Sequence, residues 1–307
     1  MNILNRLSAL FHITDDISGI DSKSVTDDQV ISFTGTGASK VAGVSSSFYV
    51  FTNTTPQGSM SNQTGTLTLG SKTVVSTYAK SRFIKGATPA SLPNSVTAFM
   101  VGGGGGTGGV PSSHSSGGGG AGRLVFYNAN FPAQGTLQIT TGSGGQATQN
   151  QAGRGIPGNN SSIQSFTAGG GGGGGTSSGQ PAGQYGGANG GSGGGGGAGH
   201  NNQWAGGAED PGTVSGATFN EGSPGSPNAG VGGGSGRNMT DYGMTSTNLG
   251  VPGLAPLQGT FAHGGGQPLA QGTGIQGSGN GSYGPAPGGH GIVVIRTSSP
   301  QTFRKTT

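Results

Sequence analysis

Few residues in this chain could carry chemistry, and they are scattered. Beyond residue 100 the acids are Glu209, Asp210, Glu221 and Asp241. A carboxylate pair cleaves a glycosidic bond only when its two members stand at a fixed separation across that bond. Glu209 and Asp210, adjacent on a stretch that runs into Pro211, do not suggest that arrangement. His200 and His263 could join the acids around a metal, but they lack the i, i+4 spacing or second cluster that marks a metal site. The glycines of 102–106 are no phosphate loop, since no lysine and no helix follow them. The chain has no cysteine, which excludes disulfides, thiolate chemistry and cysteine-bound zinc or iron–sulfur clusters. The expectation is a protein that is not an enzyme, with no catalytic residues, no metal and no cofactor.

Residues suited to recognition are more plentiful. Long polar segments at 107–116, 176–192, 198–231, 238–261 and 276–287 hold the single tryptophan, Trp204, together with Tyr185, Phe219, Tyr242, Tyr283, His114 and His200, and His263 stands just beyond the fourth. Loops on a rigid frame are where binding residues usually sit. Their rings can stack on sugars or fill pockets in a protein partner at low entropic cost. Aromatic and amide content singles out Tyr185, Asn201, Asn202, Trp204, Tyr242 and Tyr283 as candidate receptor-binding residues. The same rings could instead cover a surface that has no side chains of its own.

Such a surface is written between the loops. Glycine runs occupy 102–106, 117–120, 169–175, 193–197, 232–234 and 264–266. Glycine loses more backbone entropy on ordering than any other residue, so these runs are either flexible linker or a fold that requires hydrogen in place of every side chain. The flanks favour the second. Residues 95–101 and 291–296 are apolar and β-prone, and they bracket the glycine region with strands. In polyproline II geometry the chain has three residues per turn, a rise of about 3.1 Å and no internal hydrogen bonds. Its N–H and C=O groups must then pair with neighbouring chains that approach closely. Runs of five and seven residues would make rods of roughly 15 and 22 Å. Collagen, which needs glycine at every third residue, is excluded by runs interrupted at irregular intervals.

Composition agrees with this reading. Of 307 residues, 73 are glycine, while only 29% are hydrophobic and 7% charged, so a conventional core can form only locally. The net charge of +4 gathers into no Lys/Arg patch and no recognisable module, which argues against nucleic acid. No stretch reaches the roughly 20 apolar residues of a membrane span. The N-terminus is too interrupted by polar residues for a secretory signal, so an extracellular role would be reached by assembly and lysis.

Ile3, Leu4, Leu7, Leu10 and Phe11 lie on one stripe of a short helix, a candidate attachment face, with packing on the chain's own strands as the equal alternative. The acidic stretch 15–28 reads as a solvated turn; it lacks the spacing and glycine of a calcium loop. Strand patterns follow at 30–33, 47–51, 66–69 and 74–78, then at 96–101, 123–127, 136–140 and 292–295. The last four are expected to form one small sheet that fixes the ends of the rods. A shift in glycine content near 82–93 divides the chain into a helix and acidic segment (1–28), a β-rich attachment module (29–85), a glycine-rich domain (86–297) and a tail (298–307). The fold class expected is mainly β and irregular: a small β-rich module, then a polyglycine II sandwich bracketed by strands.

The bracket Asn94-Ser-Val-Thr-Ala-Phe-Met-Val-Gly-Gly-Gly-Gly-Gly106, the later runs and the closing Gly288-Gly-His-Gly-Ile-Val-Val-Ile-Arg296 resemble the glycine-rich C-terminal domain of bacteriophage tail-fibre and tail-tip proteins. The design is also similar to the polyglycine II distal adhesin of T-even-like phages. The resemblance covers about residues 86–297. It implies a receptor-binding protein on the virion surface, held to other virion proteins by the N-terminal module and to a bacterial outer-surface protein or glycan by its loops. It would act as a homotrimer or as one chain on a trimeric fibre, without membrane insertion. A structural virion component, such as a head fibre, spike or tail cap with no receptor contact, is the alternative.

Overall fold

The computed structural model describes residues 22–26, 30–42, 46–69, 72–77, 91–92, 95–109, 117–130, 135–148, 153–175, 219–221, 237–238, 260–262, 279, 281–282, 286–298 and 301–304. Among these residues there are strands and extended chain but no helix. In chain order the strands are β1 (Ser22–Thr26), β2 (Val30–Gly35), β3 (Ala38–Ala42), β4 (Ser46–Thr52), β5 (Gln63–Leu69), β6 (Lys72–Thr77), β7 (Ser91–Leu92), β8 (Ser95–Val101) and β9 (Leu124–Asn130). They continue with β10 (Gly135–Thr141), β11 (Ser161–Ile163), β12 (Phe166–Ala168), β13 (Phe219–Glu221), β14 (Arg237–Asn238), β15 (Thr260–Phe261), β16 (Ile292–Ser298) and β17 (Gln301–Arg304).

Two sheets face each other across the main core. One has the order β13-β9-β8-β16-β4-β3, the other β12-β11-β10-β5-β2. Tyr49, Phe51, Met100, Val125, Val293 and Ile295 from the first meet Leu67, Leu69, Leu137, Ile139 and Ile163 from the second. Burying each such aliphatic side chain is worth about 1.5–3 kcal/mol. The six-stranded sheet is buried on its other face as well, where Phe48, Val50, Phe99, Val101, Leu124, Ile292 and Val294 cluster with Ala121 and Ala262. Its strands are accordingly continuous apolar runs, as at 98–101 and 292–295. The five-stranded sheet is half-solvated and its strands alternate. Leu137 and Ile139 point inward, whereas Thr136 and Gln138 are exposed.

A third sheet, β17-β1-β6-β7, brings together residues near both ends of the chain. Its position follows from connectivity. β5 pairs Gln63 with Thr141 and Leu69 with Gly135, so it runs away from the glycine segment that begins at 142. β16 runs the same way, from Ile292 beside Val101 to Thr297 beside Val96. Two residues separate β5 from β6, β7 from β8 and β16 from β17. Such links span at most about 10 Å. The third sheet therefore lies at the pole opposite the glycine segments.

Several expectations are corrected here. Strand 136–140 does not join 96–101, 123–127 and 292–295; as β10 it pairs with β5 and β11 in the facing sheet, because its alternating pattern suits a half-solvated sheet. The acidic segment, read as a turn, contains β1, which pairs with β6 and β17. The tail 298–307 likewise contributes β17. The line drawn at 85/86 does not separate sheets: β4 pairs with β16 along its full length, and β5 with β10. The helical stripe Ile3, Leu4, Leu7, Leu10 and Phe11 lies outside the described residues.

Candidate functional site

Beyond the strands, six segments continue as extended rods, and a seventh comes from 279–282. β8 runs into 102–109, β10 into 142–148 and β12 into 169–175; 117–123 runs into β9, 153–159 leads to β11, and 286–291 runs into β16. The rod 102–109 is the axis. Its amides turn to three different neighbours with a period of three, the screw of a polyproline II chain. Gly102, Gly105 and Gly108 donate to the carbonyls of Arg123, Gly120 and Gly117. Gly103, Gly106 and Gly109 donate to Asn159, Ile156 and Gly153, and Gly104 and Thr107 to Gly289 and Ala286. The falling partner numbers show that these three rods run antiparallel to the axis.

The carbonyls of the axis serve the other three rods. Gly103 and Gly106 accept from Gly171 and Gly174, Gly104 and Thr107 from Gly145 and Thr148, and Gly105 from Ser282. Around the axis the six rods alternate in direction and bond to one another. Gly120 donates to Gly172, Gly158 to Gly171, Asn159 to Ser143, Gly288 to Gly145, Gly279 to His290 and Gly122 to Gly279. The ring is closed. A buried backbone whose every polar group needs a partner is here satisfied between rods instead of within a helix or ladder.

Only glycine permits this spacing. A Cβ on Gly105 would stand 2.0 Å from the Gly172 oxygen, and one on Gly103 an equal 2.0 Å from the Ser143 oxygen. Outward positions are different: on 153–159, Gly155 and Gly158 face the axis, while Arg154, Ile156 and Pro157 are exposed. Ser161 ties rods to sheets. Its buried hydroxyl donates to the Val101 carbonyl at 2.7 Å and accepts from the Gly142 amide at 3.0 Å.

The β4–β5 connection, 53–62, lies across three adjacent rods. Asn62 Oδ1 accepts from the Ser143 amide at 3.0 Å, Asn159 Nδ2 donates to the Met60 carbonyl at 3.2 Å, and Gln146 Nε2 donates to the Gly58 carbonyl. Asn53 Nδ2 bonds Ser61 O at 2.8 Å and Thr141 O at 3.3 Å. His290, wholly buried, completes the seat: Nδ1 accepts from the Gly144 amide at 2.8 Å and Nε2 lies 2.9 Å from the Thr55 carbonyl. Burial holds the imidazole below its ordinary pKa, partly offset by the hydrogen bond to Thr55.

The bundle has two unlike ends. At one, residues 101, 123, 141, 160, 168 and 291 adjoin strands. At the other, 109, 117, 148, 153 and 175 lie level with each other, as the bonds of Gly108 to Gly117, Gly109 to Gly153, Gly117 to Gly175 and Thr148 to Thr107 show. The connections 110–116 and 149–152, and the chain leaving Gly175, all depart from this end. So does 283–285, which joins Ser282 to Ala286. With eight residues the axis holds that end about 25 Å from the strands.

Of the sequence-derived site residues, Tyr185, Asn201, Asn202, Trp204, Tyr242 and Tyr283 all lie outside the described residues. Tyr283 directly follows the rod residue Ser282 in sequence. Phe219 and Glu221, read as loop residues, belong to β13, where they pair with Phe126 and Leu124 of β9. Part of the expected loop 276–287 is rod. Among the described residues no group of three His, Cys, Asp or Glu side chains could hold a metal, and no helix is long and apolar enough to cross a membrane. The seat at 53–62 was not foreseen; its one signal is the run of amide and hydroxyl residues from Asn53 to Asn62.

Fold and packing define a glycine-rich domain built on polyglycine II rods. Residues 84–298 match the model of the glycine-rich domain family, and the chain belongs to that family. No curated protein matches the chain at a significant level.

Proposed function

We propose that this protein is a receptor-binding adhesin of a bacteriophage tail fibre or tail tip, exposed on the virion surface and without enzymatic activity. The carrying observation is the polarity of the molecule. The sheet containing β1 and β17 lies at one pole, and the rod ends Gly109, Gly117, Thr148, Gly153 and Gly175, which flank connecting segments, lie at the other. Attachment to other virion proteins falls to the first pole, with Ile3, Leu4, Leu7, Leu10 and Phe11 preceding β1. Binding of a bacterial outer-surface protein or glycan falls to the loops that follow Gly175, through Tyr185, Asn201, Asn202, Trp204 and Tyr242, and to Tyr283. Rods packed too closely to admit a Cβ at their inward glycines give those loops a stiff base and leave their sequence unconstrained.

The test is to replace 176–192 and 198–231 in the full chain by the corresponding segments of another glycine-rich domain protein. The bacterial strains bound should change while the unfolding midpoint stays the same. Unchanged strain preference would favour a structural virion component instead.

A further inference from the structure

Among the described segments packed against it, His290 is the only group that can change charge. Segments 53–62, 102–109, 142–148, 279–282 and 286–291 contain no Asp, Glu, Lys or Arg, and no other His. Its two hydrogen bonds determine its protonation. The Thr55 carbonyl can only accept, so Nε2 carries the hydrogen; the Gly144 amide can only donate, so Nδ1 is bare. The side chains of Asn53, Asn62, Gln146 and Asn159, which also hold 53–62 in place, are amides that do not titrate.

We propose that His290 is an acid-sensitive catch, whose protonation at Nδ1 by solvent releases residues 53–62 from the rods. A proton on Nδ1 removes the acceptor of the Gly144 amide and sets two N–H groups against each other. The imidazolium has no carboxylate in these segments to pair with, and a buried unpaired charge is costly enough to expel the ring toward water. The ring cannot leave without giving up Thr55. The segment then exposes parts of three rods, 286–291, 142–148 and 153–159, that it covers at neutral pH. The depressed pKa of His290 is in keeping with this geometry. The catch is independent of what the loops at the far end bind.

Hydrogen exchange of the full chain, followed by mass spectrometry at pH 7.5 and 5.0 and corrected for intrinsic rates, reads the release directly. Peptides covering 53–62 should lose protection at pH 5.0 relative to pH 7.5, since a ring held below its ordinary pKa in the closed state takes up the proton more readily in the open one. In His290→Asn, which keeps an acceptor near the Nδ1 position, that loss should vanish. Equal protection at both pH values in the parent, or the same loss in the variant, would overturn the proposal. Should His290→Asn fail to fold, nitrogen NMR of the parent decides. A bare Nδ1 with a titration midpoint below 6.5 is expected, and an Nδ1–H tautomer or a midpoint at or above 6.5 would refute the catch.

Discussion

The Cα of Gly105 faces the carbonyl of Gly172 so closely that a Cβ would stand 2.0 Å from the oxygen, while the Gly105 amide bonds Gly120 at 2.8 Å on the adjacent rod. Close approach and hydrogen bonding between rods are thus one requirement. A rod that moved back to admit a methyl group would also lose its bonds.

Gly105→Ala should therefore destabilise the protein by at least about 3 kcal/mol, more than ordinary overpacking, because backbone and not side chain must yield. Ile156→Ser, at an outward position 41% exposed, should cost under about 1 kcal/mol. Urea unfolding of the two variants compares them; equal effects would contradict the packing described.

Ser161→Ala removes both bonds between β11 and the start of two rods, leaving the buried Val101 carbonyl and Gly142 amide without that partner. A loss of about 2 kcal/mol or more is expected. Thermal unfolding of Ser161→Ala against Ser162→Ala, which alters the opposite, half-solvated face of the same strand, isolates the effect.

Removing residues 1–85 takes away β4 and β5, and with them Phe48, Tyr49, Val50, Phe51, Leu67 and Leu69 from both clusters. The remainder is expected not to fold on its own, although the family model begins at residue 84. Far-ultraviolet circular dichroism and a denaturant titration of 86–307 would show it; a cooperative transition like that of the full chain would contradict the shared sheets.

Stability should also depend on pH through His290. Its folded pKa is held below the unfolded value of 6.5, so the unfolded chain takes up the proton first. The contribution of the neutral ring is complete above pH 6.5 and is lost as pH falls below it through the folded value. The unfolding midpoint should drop between pH 7.5 and 5.0, and drop less in His290→Asn.

How much of this could be read from sequence depended on how many neighbours constrain each residue. The axis 102–106 and the rod 169–175 are legible because residues there are packed on several sides, and at most of their positions, such as Gly103, Gly105, Gly171 and Gly173, a Cβ would collide with backbone. Rods such as 153–159 are not, since on the rim only positions facing a neighbour are restricted and Arg154, Ile156 and Pro157 look outward. Glycines three apart, at 155 and 158 or 142 and 145, are the signal that marks them. Eight of the strands, among them β4, β8 and β16, are visible as patterns, but β1, β3 and β17 are not, and neither are the sheets. The contrast between alternating 136–140 and continuous 292–295 separates a half-solvated sheet from a doubly buried one, and that contrast assigns β10 correctly. His290 gave no warning, because its partners are backbone groups 146 and 235 residues away.

The central claim is that the loop end of the rods binds bacteria. The most direct measurement is saturation binding of the fluorescently labelled full chain to a panel of intact bacterial strains, beside variants carrying Trp204→Ala and Tyr242→Ala. Saturable binding to a few strains, lost in variants that keep the parent's unfolding midpoint, is the predicted result. A folded chain that binds no strain, or variants that bind as the parent does, would contradict it.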